Sequence, residues 1–448
     1  MPVILVTDVL VWLLVAAATG YAFYCRRQPH LAQPWTRVFR SAAAAASMVV
    51  LAAYVGVGLL DSLHFRPALA QKAGERKAYS SDVLSVLDLA LVHLKGRGEK
   101  TYSAPLATRS YAKEQIELPD GRQLRDFPRL RFGGAHLKDE GEWEEDVAKR
   151  TLTGFGVAIA LLLLLLPAVR VLKRRKPGIP WHAAYGALAV LSLLAGPALA
   201  LSSGYHVLGT DKVGQDMFYL ALKSVRTSLV IGTLTTLVLL PVGVALGIMA
   251  GYFKGWVDDV IQYLYTTLNS IPGVLLIAAA VLMMQVYIDL HPEAFDTSVQ
   301  RADLRLLFLC VILGLTSWTG LARLLRGEAL KLSQLEYIQA AHAFGVRDTR
   351  ILGRHILPNV SHIVIIAMVM DFSGLVLAEA VLSYVGVGVD PSTNSFGTMI
   401  NAARMEMARE PVVWWALGTA FTFMFALVLA ANLFADAVRD GFDPRVRM

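Results

Sequence analysis

LEYIQAAHAFGVRDTRILGRHILPN, residues 335–359, is a polar interruption between hydrophobic runs long enough to cross a bilayer, so it must lie at one membrane face. Tyr337, Ala340, Ala341 and Phe344 recur at helical spacing. Gly345 then stands where a helix can end in the left-handed conformation that glycine adopts most cheaply. Asp348 is placed to cap a second short helix carrying Arg347, Arg350, Arg354 and His355. That helix is expected to stop near Pro358, which has no N–H to continue it. The expected product is a helix-glycine-helix knob with a small-residue face and a basic face. A plainer alternative is an amphipathic helix pair resting on the membrane surface.

The pattern resembles the cytoplasmic EAA loop of binding-protein-dependent ABC import permeases, whose consensus is Glu-Ala-Ala, three residues, Gly, nine residues, Ile, any residue, Leu-Pro. Ala340, Ala341, Gly345, Leu357 and Pro358 match at that spacing, while Gln339 replaces the Glu and His355 the Ile. The run from Arg354 through His355 to Asn359, preceded by Glu336 and Tyr337, is similar to the dipeptide, oligopeptide and nickel branch of the family, specifically its C-type permease subunit, where both departures are usual.

Composition bounds the broad class. Hydrophobic residues make up 55% of 448 positions and the mean hydropathy is +0.51, which describes a polytopic membrane protein. The net charge of +7 does not indicate nucleic acid, because the Lys and Arg clusters flank hydrophobic runs instead of alternating with stacking aromatics. Cys25 and Cys310 both fall in or beside hydrophobic runs, which argues against a disulfide framework.

Along the chain, residues 3–25 form an apolar run followed by Arg26, Arg27, Arg37 and Arg40. It reads as a retained span with its N-terminus outside, not as a signal peptide, since the charge follows the run. A second span covers 41–60. Residues 61–150 are soluble in character, with helical periodicity over 80–94 and a hairpin over 116–127 around Asp120-Gly121. This insert is expected to dock a binding protein or brace a partner permease, with a pure scaffold as the alternative. The acids of 139–146 read as a solvated face, since their spacing fits no calcium loop. Residues 151–172 make a third extra span, ending in the basic run 173–176 that marks the inside.

From 181 onward the chain resembles the six-helix permease core. Gly209, Thr210, Asp211, Gly214 and Asp216 match the family's extracytoplasmic signature, and Asp216 can cap the helix beginning at Met217, an interfacial one in the family. Core spans are expected at 181–201, 227–252, 260–285, 306–325, 360–385 and 412–434, giving nine in all. Asn269, Pro272 and Gly273 break the run at 260–285, either as a wall of the transport pathway or as a packing kink. Asp371 and Glu379 are ionisable groups at membrane depth and join these three as candidate pathway residues. For Asp371, pairing with a neighbouring helix competes with substrate contact.

The expected architecture is therefore an all-α polytopic membrane protein: two extra spans in 1–60, an extracytoplasmic α+β insert in 61–150, a third extra span and basic loop in 151–180, and a type I ABC permease core in 181–448 whose EAA-like loop is 326–359. No Gly-Lys dipeptide, His-Glu-x-x-His or Gly-x-Ser-x-Gly occurs, so neither a phosphate-cradling loop nor a catalytic site is read here. No metal site or cofactor is expected on this chain. The resemblance implies partners: a second homologous permease, two cytoplasmic ATPases binding ATP and Mg, an extracytoplasmic solute-binding protein, and membrane lipid, with no nucleic acid. It places the chain in the bacterial inner membrane with a cytoplasmic C-terminus. It implies import of di- or oligopeptides, nickel or another small solute, with ATP moving the EAA-like loop as a rigid peg. The rival readings are an ion-coupled secondary transporter, which should show a counterpart to the break at Pro272 where the sequence offers none, and a membrane receptor or scaffold.

Overall fold

Long apolar helices dominate the computed structural model, which describes residues 1–68, 79–80, 82–117, 123–294 and 297–443. In chain order the helices are α1 (Val6–Arg27), α2 (Pro29–Val38), α3 (Ala42–Asp61), α4 (Val86–Ala90), α5 (Val92–Lys95), α6 (Trp143–Arg175), α7 (Trp181–Ser202), α8 (Met217–Phe253), α9 (Gly255–Ser270), α10 (Gly273–Leu290), α11 (Ser298–Ser317), α12 (Thr319–Leu332), α13 (Glu336–Ala343), α14 (Asp348–Ile351), α15 (Leu357–Val385), α16 (Phe396–Glu406) and α17 (Trp415–Phe442). Among the described residues, eight helices are long and apolar enough to cross a membrane, nine when the bent pair α11 and α12 counts as one span. The interfacial helix expected at Met217 is not separate. It runs without interruption into α8, because nothing between Met217 and Leu240 removes a backbone donor.

The chain divides into two compact units, Met1–Ile4 with Phe39–Ser228 and Thr393–Ala430, and Leu5–Val38 with Leu229–Ser392 and Ala431–Met448. In the first, α7 packs against both α3 and α6, and the Tyr185 hydroxyl donates to the Leu162 carbonyl at 2.9 Å. Helix α6 carries Glu144, Glu145 and Asp146 in its first turn and Lys173, Arg174 and Arg175 in its last, the charge order that complements the helix dipole. Two small sheets involve the insert, the first of them with the N-terminal strand. Strands β1 (Pro2–Val3), β2 (His64–Phe65) and β3 (Leu84–Ser85) pair antiparallel. Strands β4 (Glu114–Glu117) and β5 (Gln123–Asp126) form the expected hairpin in the register Glu114 with Asp126; its Asp120-Gly121 tip lies outside the described residues. The helix read over 80–94 begins only at Val86, where Ser85 and Asp88 form a reciprocal capping box, with β3 before it. Of the acids in 139–146, Asp146 turns inward, accepting from Arg150 at 2.7 Å and Tyr205 at 2.9 Å, while Asp139, Glu144 and Glu145 face solvent as expected.

In the second unit α1 lies against α11, where the Thr7 amide and hydroxyl both donate to the Asp303 carboxylate. Among the described residues, two buried clusters lie in this unit. One gathers Ile231, Leu234, Leu306, Leu309 and Leu313, and the other Trp318, Leu321, Leu325, Ile338, Ile351 and Ile356. Lipid tails are as apolar as these side chains, so between membrane helices close packing and polar ties hold the contact more than water exclusion does. Cys25 and Cys310 are free thiols, both buried.

Candidate functional site

The knob forms as the glycine demands. Helix α13 ends at Ala343, Phe344 closes it, and Gly345 follows at φ +74° with nothing within 4 Å of where a Cβ would stand. Ile338, Ile351 and Ile356 are 2%, 0% and 0% exposed and plug the knob into the second cluster. Its other face is open. Phe344 is 87% exposed and Tyr337 47%, with Ala340, Arg354, Leu357 and Pro358 also exposed and Ala341 half-buried.

Two expectations about this stretch are corrected. Asp348 does not cap α14. It sits in the first turn, Arg347 occupies the cap position without a side-chain bond, and the Asp348 carboxylate accepts instead from the Tyr252 hydroxyl at 2.7 Å. Nor does the second helix stop near Pro358. A π-helical turn, residues Leu352–Ile356, carries α14 directly into α15, and Pro358 falls in the first turn of α15, where a missing N–H costs least. The knob is thus a stiff extension of a spanning helix. Glu336 lies in the first turn of α13, and the Tyr337 hydroxyl accepts from Asn359 Nδ2 at 3.1 Å, tying α13 to the start of α15 beside His355.

In the other unit, the signature loop is where the insert attaches. Asp216 caps α8 as expected, its Oδ1 accepting from the amides of Phe218 at 2.9 Å and Tyr219 at 3.1 Å. Its Oδ2 accepts from His206 Nδ1 at 2.8 Å, and His206 Nε2 stands 3.4 Å from Glu99 Oε1 in the insert. Glu99 also accepts from the amides of Arg131, Phe132 and Gly133. Thr210 Oγ1 accepts from the Ser103 amide at 2.7 Å, and Asp211 Oδ1 accepts from Val213 and Gln215 amides within the turn. Gly209 and Gly214 have φ of +73° and +79°, and a methyl on Gly214 would collide with the Glu99 carbonyl. Further along α8, Lys223 Nζ lies 2.5 Å from Asp61 Oδ1 and 3.3 Å from Asp88 Oδ1, and Tyr219 donates to Asp88 at 2.7 Å. No sequence signal marks Glu99 or Lys223, whose charged partners His206 and Asp61 are distant in the chain, nor His206, which needs Glu99 as well as the nearby Asp216.

Burial alone would lower the His206 pKa, but its bonds to Asp216 and Glu99 outweigh that and raise it from 6.5 to about 9. Burial would raise that of Glu99, yet His206 and the three amides hold it at about 2 against an ordinary 4.5. A raised histidine stabilises fully below its unfolded value and loses that as pH climbs through the folded one; a depressed carboxyl does the reverse. The clamp is therefore expected to be strongest from pH 4.5 to 6.5, weakening as pH rises through about 9 or falls through about 2. Thermal unfolding across pH checks this, and the alkaline loss should vanish in His206→Gln.

Residues 243–448 match the family described as binding-protein-dependent transport system inner membrane component. A glutathione transport system permease protein of Pectobacterium atrosepticum is 34% identical over 245 residues, 55% of this chain and 74% of the relative. An oligopeptide transport system permease protein of Mycobacterium tuberculosis is 29% identical over 290 residues, 65% and 90% of the two chains. A dipeptide transport system permease protein of Bacillus subtilis is 28% identical over 245 residues, 55% and 70%. The chain belongs to the binding-protein-dependent ABC import permeases.

As a permease of this family it is a transport subunit and not an enzyme. The break the sequence marked is present: α9 ends at Ser270, α10 starts at Gly273, and Asn269, Pro272 and Gly273 are all exposed. A second interruption lies beside it, one the sequence did not mark. Helices α11 and α12 are bent by 40° at Trp318, and Thr319 Oγ1 donates to Asn269 Oδ1 at 3.1 Å across the two breaks. The bend was not visible in sequence because neither proline nor a glycine pair produces it. Glu379 is only 1% exposed and accepts from Ser383 Oγ at 2.6 Å, and Ser383 in turn accepts from the Val389 amide at 3.4 Å, so it organises the segment after α15 from within. Asp371, midway along α15, is half-buried and makes no hydrogen bond or ion pair with another described residue.

Proposed function

We propose that this chain is one of two permease subunits of an ATP-driven importer of di- or oligopeptides. The second subunit is a related permease, two cytoplasmic ATPases bind ATP and Mg, and an extracytoplasmic solute-binding protein delivers the cargo. The N-terminus and the insert lie outside and the C-terminus and knob inside. The relatives' names support the peptide cargo, and the arginines after Cys25 with the basic run at the end of α6 support the orientation.

One observation carries the coupling role. The knob is anchored by three buried isoleucines on one side, offers Phe344 to solvent on the other, and continues through the π turn into α15. A large aromatic side chain held out on a stiff mount is the shape of an anchor for a groove on a partner. When ATP draws the ATPases together, a groove closed on Phe344 pulls α15 as a rigid body. The cavity between the permeases then opens outward, and hydrolysis reverses it. The break at Asn269–Gly273 forms part of the cavity wall, because exposed unwound backbone at membrane depth must meet protein or water, not lipid.

Affinity purification of the chain from its native membrane is expected to bring down a second permease and ATPase subunits, with peptide uptake lost when the chain is deleted. A cysteine at Arg174 should be labelled only from the cytoplasmic side. Labelling from outside would overturn the orientation, and purification without any ATPase would overturn the coupling role.

A further inference from the structure

Several ionisable side chains of the second unit are matched within it. The Asp258 carboxylate accepts from Nε and Nη2 of Arg326, both at 2.6 Å. Arg305 binds Asp390 at 3.2 Å and Gln285 at 2.9 Å. Asp303 accepts from Thr7, and Glu379 from Ser383. Asp371, midway along α15, has no such tie to a described residue. Its neighbour Phe372 turns toward the packed side, where its ring lies against Gly232. Met370, Gly374, Leu377 and Val381, spaced by four, three and four residues, form an exposed stripe along α15, and Asp371 sits at its margin. Open space surrounds Gly374, one turn on from the carboxylate.

A carboxylate midway along a spanning helix cannot face hydrocarbon without a strong penalty. As the ionised carboxylate, it must be reached by water or a cation. The exposed break at Asn269–Gly273 independently requires that this unit present a surface not covered by lipid. We propose that Asp371 is a cation-accepting site on the translocation path, receiving the protonated amino group of the cargo as it passes α15. This rests on the permease reading above and adds the chemistry of one contact. A zwitterionic peptide leaving bulk water loses hydration at its ammonium group, and a lone carboxylate beside an apolar stripe restores that charge interaction. No counter-charge among the described residues pairs with Asp371, which leaves it available to do so.

The test places a cysteine at Gly374, where a side chain has room, in membranes carrying the whole transporter. The probes are the trimethylammonium and the sulfonate forms of ethyl methanethiosulfonate. With Asp371 intact, the cationic probe is expected to react about 10-fold faster than the anionic one, and Gly374→Cys combined with Asp371→Asn should lose that preference. In uptake, Asp371→Asn should slow dialanine by about 10-fold while leaving N-acetylated dialanine unchanged. Failure of both probes to reach Gly374→Cys would overturn the site. So would Asp371→Asn releasing the second permease on purification, which would assign the carboxylate to a basic residue of that subunit. Charge-selective labelling in a transporter that carries no peptide would uphold the cation site and refute the peptide cargo.

Discussion

Gly345→Val is expected to abolish transport and weaken ATPase association while the permease still inserts and pairs with its partner. The glycine holds φ at +74°, and no atom lies within 4 Å of a built Cβ, so the cost of valine is backbone strain and not collision. A β-branched residue forced into that region costs about 1 to 3 kcal/mol. It escapes by rotating the turn, which swings Phe344 out of line. Coupling free energies between sites are about the same size, so the misfit is enough to disconnect the knob. Phe344→Ala separates contact from conformation. At 87% exposed it contributes little to the fold, so it should leave stability unchanged and still reduce ATPase co-purification, by about 2 kcal/mol or roughly 30-fold in affinity if it is the anchor. Gln339→Glu should be tolerated, because Gln339 is exposed and its amide only reaches the Gln334 carbonyl at 3.2 Å. Uptake and ATPase co-purification measured side by side decide the matter. Full transport by Gly345→Val would falsify the coupling role.

His206→Leu is expected to release the insert from the start of α8. His206 is 3% exposed and stands between Asp216 and Glu99, so leucine leaves two buried carboxylates without the cation between them. Removing one partner of a buried ion pair costs about 3 to 5 kcal/mol, mostly because the remaining charge is stranded. The measurement is limited proteolysis of the insert together with the thermal midpoint of the purified transporter. Both should worsen sharply in His206→Leu and less in Glu99→Gln, whose one oxygen can still accept from the Phe132 and Gly133 amides. Wild-type protease resistance in His206→Leu would show that the backbone ties at Ser103, Thr210 and Gly214 suffice. Because the insert grips this chain's own signature loop, deleting residues 61–150 should destabilise the permease itself, whatever the insert does for its partners.

What the sequence determined by itself was set by local physics. A glycine after an amphipathic helix can only be a turn of one hand, so the knob at 335–359 was legible, as was the cap supplied by Asp216, the break at Pro272 and the hydrophobic runs that became the spans. The family was legible for the same reason, since its motifs are short and contiguous. Only the tertiary structure decided what each piece is fastened to. Asp348 looked like a cap because caps are local, but Tyr252 reaches it from the end of α8. Pro358 looked like a stop because proline removes a donor, yet a π turn places it where no donor is missed. Glu99 meets His206 and Lys223 meets Asp61 across more than 100 residues of chain, and pairing at that distance leaves no periodicity to read. Helix propensity, turn chemistry and hydrophobic length are carried by neighbours in sequence; charge pairing and packing depend on neighbours in space, which folding alone brings together.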